Sequence, residues 1–494
     1  MTKKIKTIKD ARKLIKASQK GPIIWFGKRG LDCIGFDDFV QISAVLCCDY
    51  GSDFRLFNGS KLITSLENYV GKREDWTTSL LMELLEREEV LDYLKFLNQE
   101  LNFLCYQTRE ELEKLCEENS WKVLSSPKIL KAEVGNRLNL QRLLREAALD
   151  EIPGEVVDIN QVSFKALAQK WGKKFVLQIP KSSSGKGTYI IENENVFIKA
   201  RMRTQELMRS QELESGEVKL TQFIKGPSPN INASVTKSGV LLSPFSFQII
   251  GVPECTHNPM VYSGNDWSSV AVSYKIGKQI FEATQKFGGV LARRGYQGMF
   301  GLDFMVDAEN EKVYVAEINA RFQGSTQTLT MMQLKNKQVP LVAFHMLELL
   351  GADFKVDVDR YNKRAFRKQT GYQVILRSLE ETEAKVSNEV LAGVYTLVQG
   401  RPSYVRAGYH LGHVEKLDEF VLTSGVPEKG KVIVPGARIL KIQGKKAILD
   451  PKRGELNAYG SSLVENVYNS FALSKIKESA VLPVSVGDRE IADY

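Results

Sequence analysis

Residues 298–322, GMFGLDFMVDAENEKVYVAEINARF, constrain the fold of this 494-residue chain more than any other stretch. An apolar run, a polar AENE turn and a second apolar run predict a β-hairpin. With the turn centred near Asn310, Asp303 lies opposite Glu317. Strand residues two apart share a face, so Asn319 joins Glu317, and Arg321 and Gln323 follow in the same alternation. Two carboxylates directly across a ladder disfavour each other by up to about 1 kcal/mol even when solvated. Burial raises that cost unless a cation lies between them. Asp, Glu and an Asn carbonyl are hard oxygen donors, suited to Mg²⁺ bridging nucleotide phosphates. The competing reading is an acidic patch without a role.

The length exceeds one ordinary domain and predicts three or four lobes around a shared site. Hydrophobic residues make up 43% and charged residues 26%, a globular balance with ample core. The formal net charge of +9 suits anionic substrates such as nucleotides. Part of that charge lies in the opening segment, where Ile5, Ile8, Ala11, Leu14 and Ile15 fall at helical spacing. They predict an amphipathic basic helix on the surface, in preference to a membrane or nucleic-acid contact. No apolar run approaches the roughly 18 residues of a membrane span, and no signal-peptide core is evident. Cys33, Cys47, Cys48, Cys105, Cys116 and Cys255 include no CxxC pair, which predicts reduced thiols and a cytoplasmic location. His410 and His413, in HLGH, lack companion metal ligands in the sequence.

Along the chain, Ile23–Phe26, FVQISAVLCCDYG and LNFLCYQ read as strands, with a long helix over 77–100 and an acidic helix in TREELEKLCEEN. Alternating strands and helices predict an α/β layer over 1–125. Gly27 and Gly30 are weak evidence for a phosphate loop. Between residues 126 and 215, helices at 139–149 and 162–171 flank a short strand at 155–157. Two further strands, FVLQIP and TYII, are joined by KSSSGKG. Its small residues Ser184, Gly185 and Gly187, with Lys181 and Lys186, read as a phosphate cradle or a basic hairpin turn. The 216–350 segment predicts antiparallel strands, a loop holding SGNDW, a helix and the hairpin above. Residues 351–494 read as β-rich with a terminal helix.

GLDFMVD and VAEINARFQGS resemble the metal-binding end of the ATP-grasp ligases. The acid–x–Asn–x–Arg pattern is closest to the carboxylase and peptide-ligase branches, and the likeness covers about residues 130–330. It implies a Rossmann-like N-terminal domain, two α+β grasp lobes and a β-rich C-terminal region. It also implies that Asp303, Glu317 and Asn319 hold Mg²⁺ or Mn²⁺, and that Arg321 faces the transferring γ-phosphoryl group of ATP. SSSGKG becomes the loop over the triphosphate with Lys186 in its basic position, and TQFIKG the strand beside adenine. There Gln222 stands in the usual acidic place and Ile224 offers backbone groups. Two positions depart from the pattern: Gln178 replaces a usual lysine, and Arg137 stands for an earlier one. Arg137 still brings charge, as a planar fork, and Lys181 is expected to compensate for Gln178.

The chemistry so implied joins a carboxylate to an amine through an acyl phosphate, releasing ADP and phosphate. Amino acids or peptides are the expected substrates, with neither nucleic acid nor membrane as partner, and a homodimer is the assembly considered. Asn265 and Asp266 in the SGNDW loop, with Gln323 and Ser325, are candidate substrate contacts; a polar surface loop is the alternative. A biotin-carboxylase-like enzyme and a non-catalytic ATP-binding regulator remain the rival readings.

Overall fold

The structure is a computed structural model that describes residues 2–57, 62–70, 78–97, 100–180, 187–210, 213–269 and 272–476. Its first layer grows from short apolar runs alternating with helices, a pattern that suits a parallel sheet buried on both faces. Leu62–Ser65, Ile42–Cys47, Ile23–Phe26, Asn102–Cys105 and Lys122–Val123 lie side by side in that order, all parallel. Every residue of Ile23–Phe26 is buried. The opening helix, Ile8–Ser18, starts at a capping box between Thr7 and Asp10. Its apolar side, Ala11, Leu14 and Ile15, enters one core with the wholly buried helix Leu341–Leu349, while Lys9, Arg12, Lys13 and Lys16 face solvent.

The helix expected over 77–100 is broken into Thr78–Leu81, a 3₁₀ turn at Met82–Leu84, and Glu88–Leu97. At about 100° per residue, one continuous helix would point Val90 and Leu94 away from Leu81, Leu84 and Leu85. The break brings all five into one core. Lys128–Gly135 and Glu194–Arg209 are helices that apolar periodicity does not announce.

Two further large sheets join the parallel one, beside three small ones of two or three strands. Gly154–Asp158, Glu217–Gln222, Phe175–Gln178 and Thr188–Ile191 form a four-stranded antiparallel sheet. The third is an eleven-stranded sheet whose strands come from both sides of residue 350. It carries the hairpin Gly298–Asp307 and Lys312–Asn319, then Pro229–Thr236, Ser246–Ile250, Tyr262–Asp266, Tyr372–Arg377 and Arg438–Gly444 in order. SGNDW is thus largely strand, where the sequence suggested loop. Its polar residues fit inside a sheet because each finds a polar partner, and Gly264, at φ +141°, leaves room for the carbonyl of Gln373. Among the described residues no helix is long and apolar enough to cross a membrane. All six cysteines are buried free thiols.

The segment after the hairpin is pinned by Phe322. Its ring lies 5.0 Å from Phe36, 4.7 Å from His345 and stacked at 6.4 Å on Trp25. His345 is neutral there: burial pushes it down to about 3, and its ring accepts from the Met299 N–H and reaches the Leu124 carbonyl. Phe322→Ala should destabilise the protein by about 3–5 kcal/mol through the cavity it leaves, read as a lower midpoint in denaturant unfolding. Phe322→Leu should lose less.

Candidate functional site

The hairpin register pairs Asp303 with Glu317 and Gly301 with Asn319. That pairing depends on a bulge. Phe304 pairs with Val315, so Ala316 is an extra residue in the ladder. Before the bulge, Val313 and Val315 pack into the core; beyond it, Ile318 and Ala320 do. The bulge therefore switches the parity and turns Glu317 and Asn319 away from the core, the kind of re-aiming bulges perform beside functional sites.

Asp303 is held from several sides. Asn319 Nδ2 donates to Oδ2 at 3.1 Å, Asn230 donates to Oδ1, and Gln323 Nε2 lies 3.5 Å away. Burial, then the Glu317 charge, raises its carboxyl to about 6. Ser325 stands behind this group, with its hydroxyl accepting from Asn232 at 2.9 Å and donating to Asn230 at 3.4 Å. Gln323 crosses over Gly301, where any Cβ would collide with its side chain, and its Oε1 is buried without a hydrogen-bond partner. Glu317 meets Arg137 Nη2 at 3.4 Å, and Arg137 Nη1 donates to the Ile179 carbonyl at 2.9 Å. Two like charges, an adjacent amide and an orphaned carbonyl oxygen are a donor set that fits a hard divalent cation. Among the described residues no cluster of three His, Cys, Asp or Glu side chains offers another metal site.

These residues line one cavity of about 1350 Å³ where the sheets meet. A small-molecule pocket is ordinarily about 300–1,000 Å³, so this one has room for two ligands. One wall is formed by Gln178, Gly187, Lys219, Gln222 and Ile224. Past Gln222 the chain leaves its strand, so the Ile224 backbone is free of the ladder. Lys181, Ser184, Gly185 and Lys186 lie outside the described residues. The sequence reading overlooked Lys219, which is the direct ladder partner of Gln178. It is 4% exposed, and no ion pair or hydrogen bond to its ammonium occurs among the described residues. Burial pushes it down to about 8, with Glu151 and Glu317 opposing and Arg137 adding to the shift. A lone lysine inside EVKLTQ was the only signal available in the sequence.

On the other wall, Arg321 lies 5.7 Å from the Tyr106 ring and donates from Nη1 to the Tyr106 hydroxyl at 3.3 Å and the Phe322 carbonyl at 3.0 Å. Asn265 lines the cavity but is fully buried and bonded to Tyr262, Ser246 and Gln373. Asp266 faces elsewhere. Its carboxylate accepts from the backbone of Ser268, Ser269, Ile448 and Leu449, which ties two segments together and leaves nothing for a substrate.

A family model described as an ATP-grasp domain matches residues 134–325. The chain is similar to the butirosin acyl-carrier protein–L-glutamate ligase of Niallia circulans, with 25% identity over 219 residues, 44% of this chain and 49% of that protein. It thus spans about half the length of that curated relative. Among solved structures it is similar to the biotin carboxylase of Campylobacter jejuni, at TM-score 0.58 and 13% identity, covering 87% of this chain and 88% of that one. The biotin carboxylase domain of Hydrogenobacter thermophilus 2-oxoglutarate carboxylase, solved with MgADP and bicarbonate, gives 0.56 and 13% over 86% and 87%. Phosphoribosylamine–glycine ligase of Thermotoga maritima gives 0.52 and 14% over 87% and 94%. At these identities the structural likeness is one of fold.

The acid pair yields a test that needs no substrate. Asp303→Asn removes one of two facing like charges and should leave the metal-free melting temperature at or above that of the parent, a gain of up to about 1 kcal/mol. The same variant should lose any stabilisation by Mg²⁺. In the parent, that stabilisation should fade as pH drops below about 6, because a protonated Asp303 is a poor ligand.

Proposed function

The chain is an ATP-grasp domain protein, and from that premise we propose that it is an ADP-forming ligase that joins a carboxylate to an amine. The observation that carries the proposal is the juxtaposition of Asp303 and Glu317 across one ladder rung, in a cavity large enough for a nucleotide and a second ligand. Asp303, Glu317 and Asn319 would hold Mg²⁺ or Mn²⁺. Lys219, Arg137 and Gln178 would meet the phosphates, with Lys219 supplying the cation that Gln178 cannot. Ile224 and Gln222 would face the base. Solved relatives of this fold carry MgADP, which supports nucleotide binding.

ATP supplies a terminal phosphoryl group, which a substrate carboxylate takes to become an acyl phosphate before an amine displaces phosphate. This chain's residues contribute position and charge. Arg321, tethered by Tyr106 and by the buried Phe322, offers a fixed guanidinium to the charge that develops on the phosphoryl oxygens. Gln323 and Asn230 hold Asp303 oriented. The glutamate ligase of Niallia circulans supports an amino acid as one of the two substrates.

A screen of carboxylate and amine pairs should release ADP and phosphate, never AMP and pyrophosphate. Hydroxylamine should trap the activated acid as a hydroxamate. Strict dependence on bicarbonate would move the protein to the carboxylase reading, and nucleotide binding without turnover to a regulator.

Glu317→Gln should abolish turnover with little change in melting. Lys219→Met should weaken a nonhydrolysable ATP analogue by about tenfold, the loss of one charge-assisted contact, and leave adenosine binding unchanged. Equal analogue affinity in that variant would remove Lys219 from the phosphate site.

A further inference from the structure

A second pair of like charges faces across a ladder in the same cavity. Arg377, at the end of Tyr372–Arg377, is the register partner of Arg438, at the start of Arg438–Gly444. Here too the register shifts at the charged residue, between Leu376 and Arg377. Arg29 and Lys441 line the same wall. Two acids accompany these four cations: Asp49 pairs with Arg29 at 3.1 Å, and Asp32 meets Lys441 at 3.5 Å. Arg377 and Arg438 are left without a carboxylate among the described residues.

Their donors are also unfilled. Among the described residues, Nη1 of Arg377 and Nε of Arg438 are buried without a hydrogen-bond partner, and Arg438 Nη2 donates to the Ser424 hydroxyl at 2.7 Å. Burial first, then Arg438 and Arg29, pushes the Arg377 guanidinium down to about 10; burial and Arg29 do the same to Arg438, against the opposing charges of Asp32 and Asp49. Glu380 and Glu381 also line the cavity, but Glu380 accepts from the Tyr468 hydroxyl and Glu381 is exposed. Facing half-buried cations with buried, empty donors are costly in the absence of an anion. A guanidinium fork matches a carboxylate or a phosphate through two parallel hydrogen bonds.

We propose that Arg377 and Arg438, backed by Arg29 and Lys441, bind the second anionic group of a substrate that carries at least two. One is the carboxylate to be activated; the other is a further carboxylate or a phosphate. This deepens the ligase reading and rests on it for the role of the first carboxylate. The cavity is continuous from the arginine pair to Asp303 and Glu317, so one elongated ligand can span both ends.

Calorimetric titration of the full chain without nucleotide tests the site directly, with glutarate, 3-phosphonopropionate and the monoanion pentanoate as probes. The better dianion should bind at least about tenfold more tightly than pentanoate, and the order of the two dianions tells carboxylate from phosphate. Arg377→Met and Arg438→Met should each bring the dianion to the level of pentanoate, with affinity for a nonhydrolysable ATP analogue unchanged. Arg377→Lys should fall between, because it keeps the charge and loses the fork. Melting curves check folding, and if Arg438→Met does not fold the two Arg377 variants carry the comparison. Equal binding of all three probes, no measurable binding of any, or a dianion preference that survives in the Met variants would overturn the proposal. Dianion selectivity without ADP release would sink the ligase reading alone; ADP release without selectivity would sink this inference alone.

Discussion

The repulsion between Asp303 and Glu317 across one rung of a hairpin is the constraint to which the surrounding structure answers. Arg137 pairs with Glu317 at 3.4 Å, whereas among the described residues Asp303 is hydrogen-bonded by amides and has no ion pair. Amide donors stabilise a carboxylate without cancelling its charge, so the site keeps its appetite for a cation. Each amide is itself anchored, Asn230 through Ser325 and Gln323 by its passage over Gly301. The backbone pays for this arrangement with the bulge at Ala316, which interrupts the ladder so that two acid-bearing strands can share a face.

The cavity repeats the same device with opposite sign. Arg377 and Arg438 face each other as the acids do, again beside a register shift. A folded chain that sets like charges face to face twice in the lining of a single cavity has placed electrostatic cost where a bound ligand can relieve it. Lys219 belongs to the same pattern, a buried ammonium with no carboxylate in contact among the described residues. These groups raise the free energy of the empty site and stiffen its complementarity to a charged ligand, the usual exchange between stability and function.

Rigidity comes from apolar neighbours one residue away. Phe322 lies between Arg321 and Gln323 in the chain and is buried among Trp25, Phe36 and His345. The N-terminal parallel layer thus reaches the cavity through packing and through Tyr106, whose hydroxyl meets Arg321. It also lends Arg29 and Asp32 to the cavity wall. Such contacts give that sheet a reason to be part of the site and not an appendage.

The sequence by itself determined the hairpin, because two apolar runs flank one short polar turn; the rung that Asp303 shares with Glu317 also needs the bulge at Ala316, which only the structure shows. The sequence also determined most single strands and helices with clean periodicity, and the amphipathic opening helix. Only tertiary structure decided what depended on distant pairing. Lys219 meets Gln178 across strands 41 positions apart, and Arg377 meets Arg438 across 61. No local pattern encodes such registers. SGNDW looked like a loop because its polarity is satisfied by partners from other strands, and Asp266 was taken from the substrate site by backbone N–H groups near residue 448. Local periodicity is written in side-chain order, whereas the choice of charged neighbours is made when sheets meet.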